Sequence, residues 1–470
     1  MDKVYSILKD RVVGAQLVIY NNSKQVQYNY GKSSLLKDED VVNDTIFRIA
    51  SISKTVVAMA ALKLMEEGKL DLNADISSIL EFKIRNPKYP DEVITPKMLM
   101  LHTSGIIDGY KDEDLTHGGI EKGYNGVNGK PYFVALEDLL SNQLSDYYTN
   151  KTFAEYRPGD KFSYSNFGTG ILACIVEKCS GKMFNDYVTE AFFKPLGVDA
   201  SFKANQIHKK DKISDTFYYD ELKKEFKTDR TAKSFIEMTY NNFPLGENYR
   251  GPAGGLFISM PDLNKLMQLL LHDGVYQDKR LLKKETIDLM LSMHFLGSRE
   301  DYLAKGLQLQ FKDSIEGVLL KGHTGSAYGV SSLMLFSKES DFGVCFIANG
   351  GNYKDYKPGL NDIQYQILEF AQKNYFKKKE KIVTIDQNLN VYLNQRKIIL
   401  SQPKVVDDCL YVNIIDLANI IDVIPRTIDQ DYYIKGIRIP VMNENICLDE
   451  VLKILNIVYF KTNQSYKIYV

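Results

Sequence analysis

The sequence predicts an α/β chain of the segregated α+β kind. It should hold an antiparallel sheet flanked by helices, a helical region inserted into that sheet, and a small α+β module behind it. Three observations predict this. Short, β-branched apolar runs cluster near the start and again around residues 317–349, without regular alternation with helices. Between them, from about residue 80 to 310, loops are mixed with stretches of helical periodicity. After the basic run KKKEK, Lys377–Lys381, the pattern changes, so residues 1–378 read as one domain and 382–470 as a second.

VVGAQLVIY and KQVQYNYG are strands joined at NNS, a hairpin. TVVAMAALKLMEEG is apolar nearly all round, which suits a helix inside a domain, and Gly68 is its stop. TPKMLMLHTSG, GTGILACIVEKCSG and PDLNKLMQLLLHDG have helical spacing. GVLLKGH, VSSLMLF and FGVCFIANG are strands again, and NDIQYQILEFAQKNYF is a closing helix. The lysine run at the boundary reads as solvated surface. Beyond it, CLYVNIIDLANIIDVI and ICLDEVLKILNIVYF form a weak repeat of short strand and short helix.

Composition bounds the function. Of 470 residues, 44% are hydrophobic and 25% charged, which is ordinary globular usage. Lys and Arg number 59 against 60 acidic residues, so neither nucleic acid nor an anionic membrane is an expected partner. No apolar run reaches the length of a membrane span, and the start lacks the regions of a signal peptide. The expected location is therefore cytoplasmic, or extracytoplasmic if a leader has been removed. The five cysteines (Cys174, Cys179, Cys345, Cys409, Cys447) are odd in number and contain no CxxC. Free, mostly buried thiols are expected, with no disulfide, no metal and no cofactor.

Ser-x-x-Lys occurs four times, at Ser6, Ser34, Ser51 and Ser401, and only Ser51 opens a long apolar helix. Unpaired N–H groups at a helix start favour a developing anion. Lys54 lies one turn on and shares the face of Ser51. Burial would lower its pKa, making it able to take the serine proton. A capping serine with a snorkelling lysine fits the local stretch equally well. The second element is KFSYSNFGTG, where Tyr164 and Asn166 stand on a turn-rich loop before a helix. Tyr164 could relay a proton to a leaving group, and Asn166 could bind lysine and substrate. The third is LLKGHTGSAYGVSSLMLF, with His323, Thr324 and Gly325 between strands, where glycine lets a substrate backbone approach an edge. A lone histidine in a turn is more often a plain surface residue. Together the three match the order of the Ser-x-x-Lys, Ser-Asp-Asn and Lys-Thr-Gly set.

Residues from about 10 to 375 resemble the β-lactamase-like serine hydrolases: class C β-lactamases, D-alanyl-D-alanine carboxypeptidases, D-aminopeptidases and some esterases. DTIFRIASISKT, EEGKLDLNADI, ITPKMLMLHTSGI, YSNFGTGIL, GPAGGLFISMPDL and GHTGSAYGV carry the resemblance. It implies Ser51 as acylated nucleophile, Lys54 as its activator and Tyr164 as acid/base. It also implies substrate binding by Asn166, His323, Thr324, Gly325 and Ser326, with the N–H groups of Ser51 and Ser326 as oxyanion hole. Histidine at 323, where class C β-lactamases carry lysine, argues against efficient β-lactam hydrolysis and for pH dependence near the ordinary histidine pKa of about 6.5. The tail, VTIDQNLNVYLNQRKI…CLYVNIIDLANII, resembles the copper amine oxidase N-terminal-like module, yet contains no histidine. Cell-wall or protein contact is its implied role. The expected function is hydrolysis of a peptide or amide containing a D-amino acid. The alternatives are an esterase or weak β-lactamase on the same residues, or a catalytically silent ligand-binding or sensor protein.

Overall fold

A computed structural model describes residues 2–108, 122–128, 130, 132–238, 243–297, 304–313, 319–357, 359–377, 381–386, 388–393, 396–398, 400–401, 403–406, 409–428, 431–441, 444–462 and 465–470. Asn22 and Ser23, both at positive φ, turn strand Gly14–Asn21 back into Lys24–Ser34. Two-residue loops of this kind match the twist of the strands they join. The hairpin does not stand alone. Gly14–Asn21 pairs antiparallel with Phe342–Ala348, from Ala15 opposite Ala348 to Asn21 opposite Phe342. The resulting antiparallel sheet has nine strands. Its order is Phe295–Leu296, Ala304–Gly306, Leu309–Asp313, Leu319–Ala327, Val330–Ser337, Phe342–Ala348, Gly14–Asn21, Lys24–Ser34, Glu39–Asp40.

Alternation along the central strands assigns the two faces. Leu17, Ile19, Leu333, Leu335, Val344 and Phe346 pack against Val4 and Leu8 of helix Asp2–Leu8 and Ile363 and Ile367 of helix Asp362–Tyr375. Their neighbours Val18, Tyr20, Met334, Phe336, Cys345 and Ile347 face the larger core. That core holds helices Ser53–Glu66, Asn166–Ser180 and Met260–Leu271 and the rest of the inserted region. Helix Ser53–Glu66 buries eleven of its fourteen residues, as its all-round apolar sequence requires.

Residues from Val383 to Ile468 build a further apolar cluster. A five-stranded sheet closes it, ordered Arg396–Ile398, Val391–Leu393, Ile382–Ile385, Ser465–Tyr469, Val458–Thr462. The repeat is present as strand Cys409–Val412 with helix Ile414–Ile421, and strand Ile446–Cys447 with helix Leu448–Ile454. The two strands pair, and Cys409 is joined to Cys447 by a disulfide. This corrects the expectation of five free thiols: only Cys174, Cys179 and Cys345 are free. The sequence hides the bond because the partners lie 38 residues apart and meet only through strand pairing.

The two parts are fastened to each other. Ala418 and Ile424 pack on Met293, Ala304, Phe311 and Leu319 beside the outer strands of the large sheet. Asn419 accepts from the Met293 N–H at 2.8 Å and donates to its carbonyl at 3.0 Å. Asp422 pairs with Lys381 and stands 3.7 Å from Lys321, which is 3.8 Å from Glu339, all nearly fully buried. Lys381 is thus no solvated surface lysine: the basic run ends inside an ion cluster. Replacing one partner of a buried pair leaves uncompensated charge. Asp422→Ala should therefore destabilise the protein by about 3–5 kcal/mol, read as a lower urea midpoint.

Candidate active site

Ser51 lies in a 3₁₀ turn, Ala50–Ile52, that leads directly into helix Ser53–Glu66. Ala50 has φ of +52°, a left-handed conformation costly for any residue but glycine. Ser53 holds this turn: its hydroxyl donates to the Ala50 carbonyl at 2.6 Å and accepts from the Leu256 N–H at 3.1 Å. Strand Leu319–Ala327 lies against the turn so closely that a Cβ on Gly325 would come within 2.6 Å of the Ile49 carbonyl. Only glycine permits that approach.

Lys54 is fully buried. Its Nζ reaches the Ala253 carbonyl at 2.6 Å, Asn166 Oδ1 at 2.8 Å and Ser51 Oγ at 3.2 Å. Burial pulls its pKa down to about 7, against the opposing field of the Asp108 carboxylate. The Tyr164 hydroxyl donates to Ser51 Oγ at 2.8 Å, and its ring lies 4.9 Å from Lys54 Nζ. Asn166 opens helix Asn166–Ser180, which is capped by the Ser165 hydroxyl on the Gly168 N–H at 2.8 Å.

Asp108 and His102, which no motif in the sequence marks, both position the loop that carries Tyr164 and Asn166. Asp108 accepts from Asn166 Nδ2 at 2.7 Å, from the Phe167 N–H at 2.9 Å and from the Ser165 hydroxyl at 3.0 Å. This fixes the Asn166 amide with its oxygen toward Lys54. His102 accepts from the Ser165 N–H at 3.2 Å, and its ring lies 4.7 Å from that of Tyr164, tilted by 35°. His102 lies within the quoted run ITPKMLMLHTSGI and Asp108 just beyond it, but no periodicity marks either.

His323 is inside a strand rather than a turn, and is 1% exposed. Its ring lies 6.4 Å from that of Tyr164. Burial, aided by the charges of Lys305 and Lys54, drives its pKa well below the usual histidine value. It is neutral at physiological pH, so the expected titration near 6.5 is corrected. Thr324 donates to Gln310 at 3.2 Å. Leu309–Asp313 pairs with this strand only as far as Gly322, so among the described residues 323–327 have a strand partner only in Val330–Ser337. Ala327 and Val330 flank a two-residue loop and form a hydrogen-bonded pair; Ser326 opposite Ser331 is then a non-bonded pair. The Ser326 N–H therefore points out of the hairpin, toward the open edge.

A sequence profile described as Beta-lactamase matches residues 2–367. The chain belongs to the β-lactamase family. Protein flp of Staphylococcus aureus strain MRSA252 is 28% identical over 203 residues, 43% of this chain and 37% of that protein, so the match spans little more than a third of that relative. The human mitochondrial serine β-lactamase-like protein LACTB is 24% identical over 362 residues, 63% of each chain. Among solved structures, the octameric penicillin-binding protein homologue of Pyrococcus abyssi aligns with TM-score 0.58 and 18% identity, over 100% of this chain and 98% of its own. The D-amino acid amidase of Ochrobactrum anthropi SV3 aligns with TM-score 0.57 and 21% identity, over 79% and 99%. A class C β-lactamase aligns at 0.55 and 18%, over 78% and 95%. These likenesses establish the β-lactamase and DD-peptidase-like fold.

Within this β-lactamase-family domain, Lys54 is the group whose protonation should set the pH profile. A lysine pulled down to about 7 is a neutral base above that pH. Acylation should rise through pH 7 to a plateau, measured as inactivation rate with a fluorophosphonate. Asp108→Asn removes a charge that favours the ammonium, so its rising limb should move to lower pH. His323→Gln should retain the limb.

Proposed function

We propose that the protein is a serine hydrolase that cleaves peptide or amide bonds through an acyl-enzyme on Ser51, with substrates containing a D-amino acid. The observation that carries this reading is the contact of Ser51 Oγ with both Tyr164, at 2.8 Å, and the depressed amine of Lys54, at 3.2 Å. A neutral amine has two N–H groups and one lone pair. Asn166 Oδ1 and the Ala253 carbonyl occupy the two N–H groups, so the lone pair is left for Ser51. Ser51 Oγ bonds to the scissile carbonyl carbon as its proton passes to Lys54. The carbonyl oxygen takes the charge between the N–H groups of Ser51 and Ser326, the kind of donor pair whose loss costs roughly 10²–10³ in rate. The C–N bond then breaks while the leaving nitrogen takes a proton from Tyr164, and water releases the acyl group by the reverse route.

Three features support the substrate class. Members of the family are serine hydrolases, and the similar folds include a D-amino acid amidase and a D-stereospecific amidohydrolase. Lys312, on a neighbouring strand, adds a charge that acts on His323 and suits a peptide carboxylate at that end of the cleft. A second reading, an esterase or weak class C-like β-lactamase, is favoured by the neutral His323, which removes a fixed cation from the strand. The Cys409–Cys447 disulfide supports work in an oxidising compartment, outside the cytoplasm. Val458 and Phe460, both exposed on an outer strand, support a protein or cell-wall contact by the C-terminal module.

Intact mass after incubation with a fluorescent penicillin tests the chemistry. An adduct on wild type and none on Ser51→Ala is expected, and full labelling of Ser51→Ala would sink the reading. Lys54→Met should slow acylation by about 10²–10⁴. A D-Ala-D-Ala peptide, a D-amino acid amide, a chromogenic ester and a cephalosporin, compared side by side, separate peptidase from esterase and β-lactamase. Alkylation of unfolded, unreduced protein should modify three of the five cysteines.

A further inference from the structure

Tyr328 and Gly329 form the two-residue loop between strands Leu319–Ala327 and Val330–Ser337, with φ of +53° and +75°. Asn, Asp or Gly is the usual first residue of such a loop, since a bulky side chain is strained at positive φ. A tyrosine there is an outlier, and outliers retained in a fold gather at functional sites. Nor is the ring there to fill a core, because Tyr328 is 47% exposed. Two guanidinium groups lie over it: Arg48 at 4.5 Å from the ring centroid and Arg230 at 5.9 Å. Arg48 ends strand Ile46–Arg48, three residues before Ser51, and Arg230 ends strand Glu225–Arg230. Among the described residues, neither arginine has an ion pair or a side-chain hydrogen bond.

The position of this group relative to the scissile bond follows from the strand direction. Tyr164, which faces the leaving group, stands near His323. A carbonyl held between Ser51 and Ser326 then sends its leaving group toward His323 and its acyl portion toward Tyr328. Stacking on a phenol leaves the edge N–H groups of a guanidinium available for a planar anion.

We propose that Arg48, Arg230 and Tyr328 form an acyl-side subsite that selects substrates carrying a carboxylate in their acyl portion. The inference rests on the acyl-serine reading above and adds a substrate class to it. Two cations beside a reactive serine, with no anion of their own among the described residues, raise the local concentration of an anionic acyl group and orient it. The preference is electrostatic and weakens with salt.

Two esters with the same leaving group and chain length test it: mono-4-nitrophenyl glutarate and 4-nitrophenyl valerate. At low ionic strength the wild type should favour the glutarate by about tenfold in kcat/KM, mainly through KM. That ratio should fall toward one in Arg230→Gln, further in Arg48→Gln/Arg230→Gln, and in the wild type at high salt. Arg230 is exposed, so its variant reads the subsite even if the double variant folds poorly. A wild-type ratio near one, or a ratio kept in Arg230→Gln and insensitive to salt, overturns the subsite. Fluorophosphonate labelling of Ser51 separates the two claims. Labelling with a ratio near one removes the subsite alone, and absence of both labelling and ester cleavage removes the acyl-serine reading with it.

Discussion

The proposed active site depends on one buried amine. Enclosing a lysine head group without water is costly, and the group responds by losing its proton or by finding partners. Lys54 does both, through Ser51, Asn166 and the Ala253 carbonyl. Each partner is itself held. Asp108 locks the Asn166 amide, and Ser53 pins the turn that carries Ser51. Strand Leu319–Ala327 closes on that turn because residue 325 has no side chain. Loosening any of these would leave a fully buried amine short of a partner.

The same burial explains the histidines. His102 and His323 are buried beside lysines, and desolvation and like charge act in the same direction to keep both neutral. His102 packs against the Tyr164 ring and is an acceptor for the loop. His323 shapes the strand end without supplying a cation. Lys305 and Lys312 act on its ring from neighbouring strands.

Where periodicity was strong, the sequence was legible. Leu17, Val18, Ile19 and Tyr20 alternate between two cores as their spacing implies, and Ser53–Glu66 is buried on every side. Ser51, Lys54, Tyr164 and Asn166 could be found because each sits next to such an element, and they meet as that reading expects. Strands of two residues, Glu39–Asp40 and Phe295–Leu296, are too short for any pattern and exist only as pairings to longer neighbours. Asp108 acts through three donors that loop geometry alone brings together. Lys381 and Asp422 look like surface charges until the junction between the two parts buries them. The disulfide depends on a strand register that cysteine spacing does not encode.

The seam at the centre of the large sheet joins Ala15 to Ala348. At ribosomal speeds of about 5–20 residues per second, the first hairpin waits roughly 15–65 s for its partner strand. Leu17 and Ile19, which end in the core, stay uncovered through that interval. The smaller sheet repeats the arrangement, since Ile382 pairs with Tyr469. Both sheets are thus completed by their latest-made strands, which makes the growing chain a long-lived client for chaperones. Local helices can form as they emerge, but the cleft cannot exist until synthesis of the large sheet's strands is almost finished.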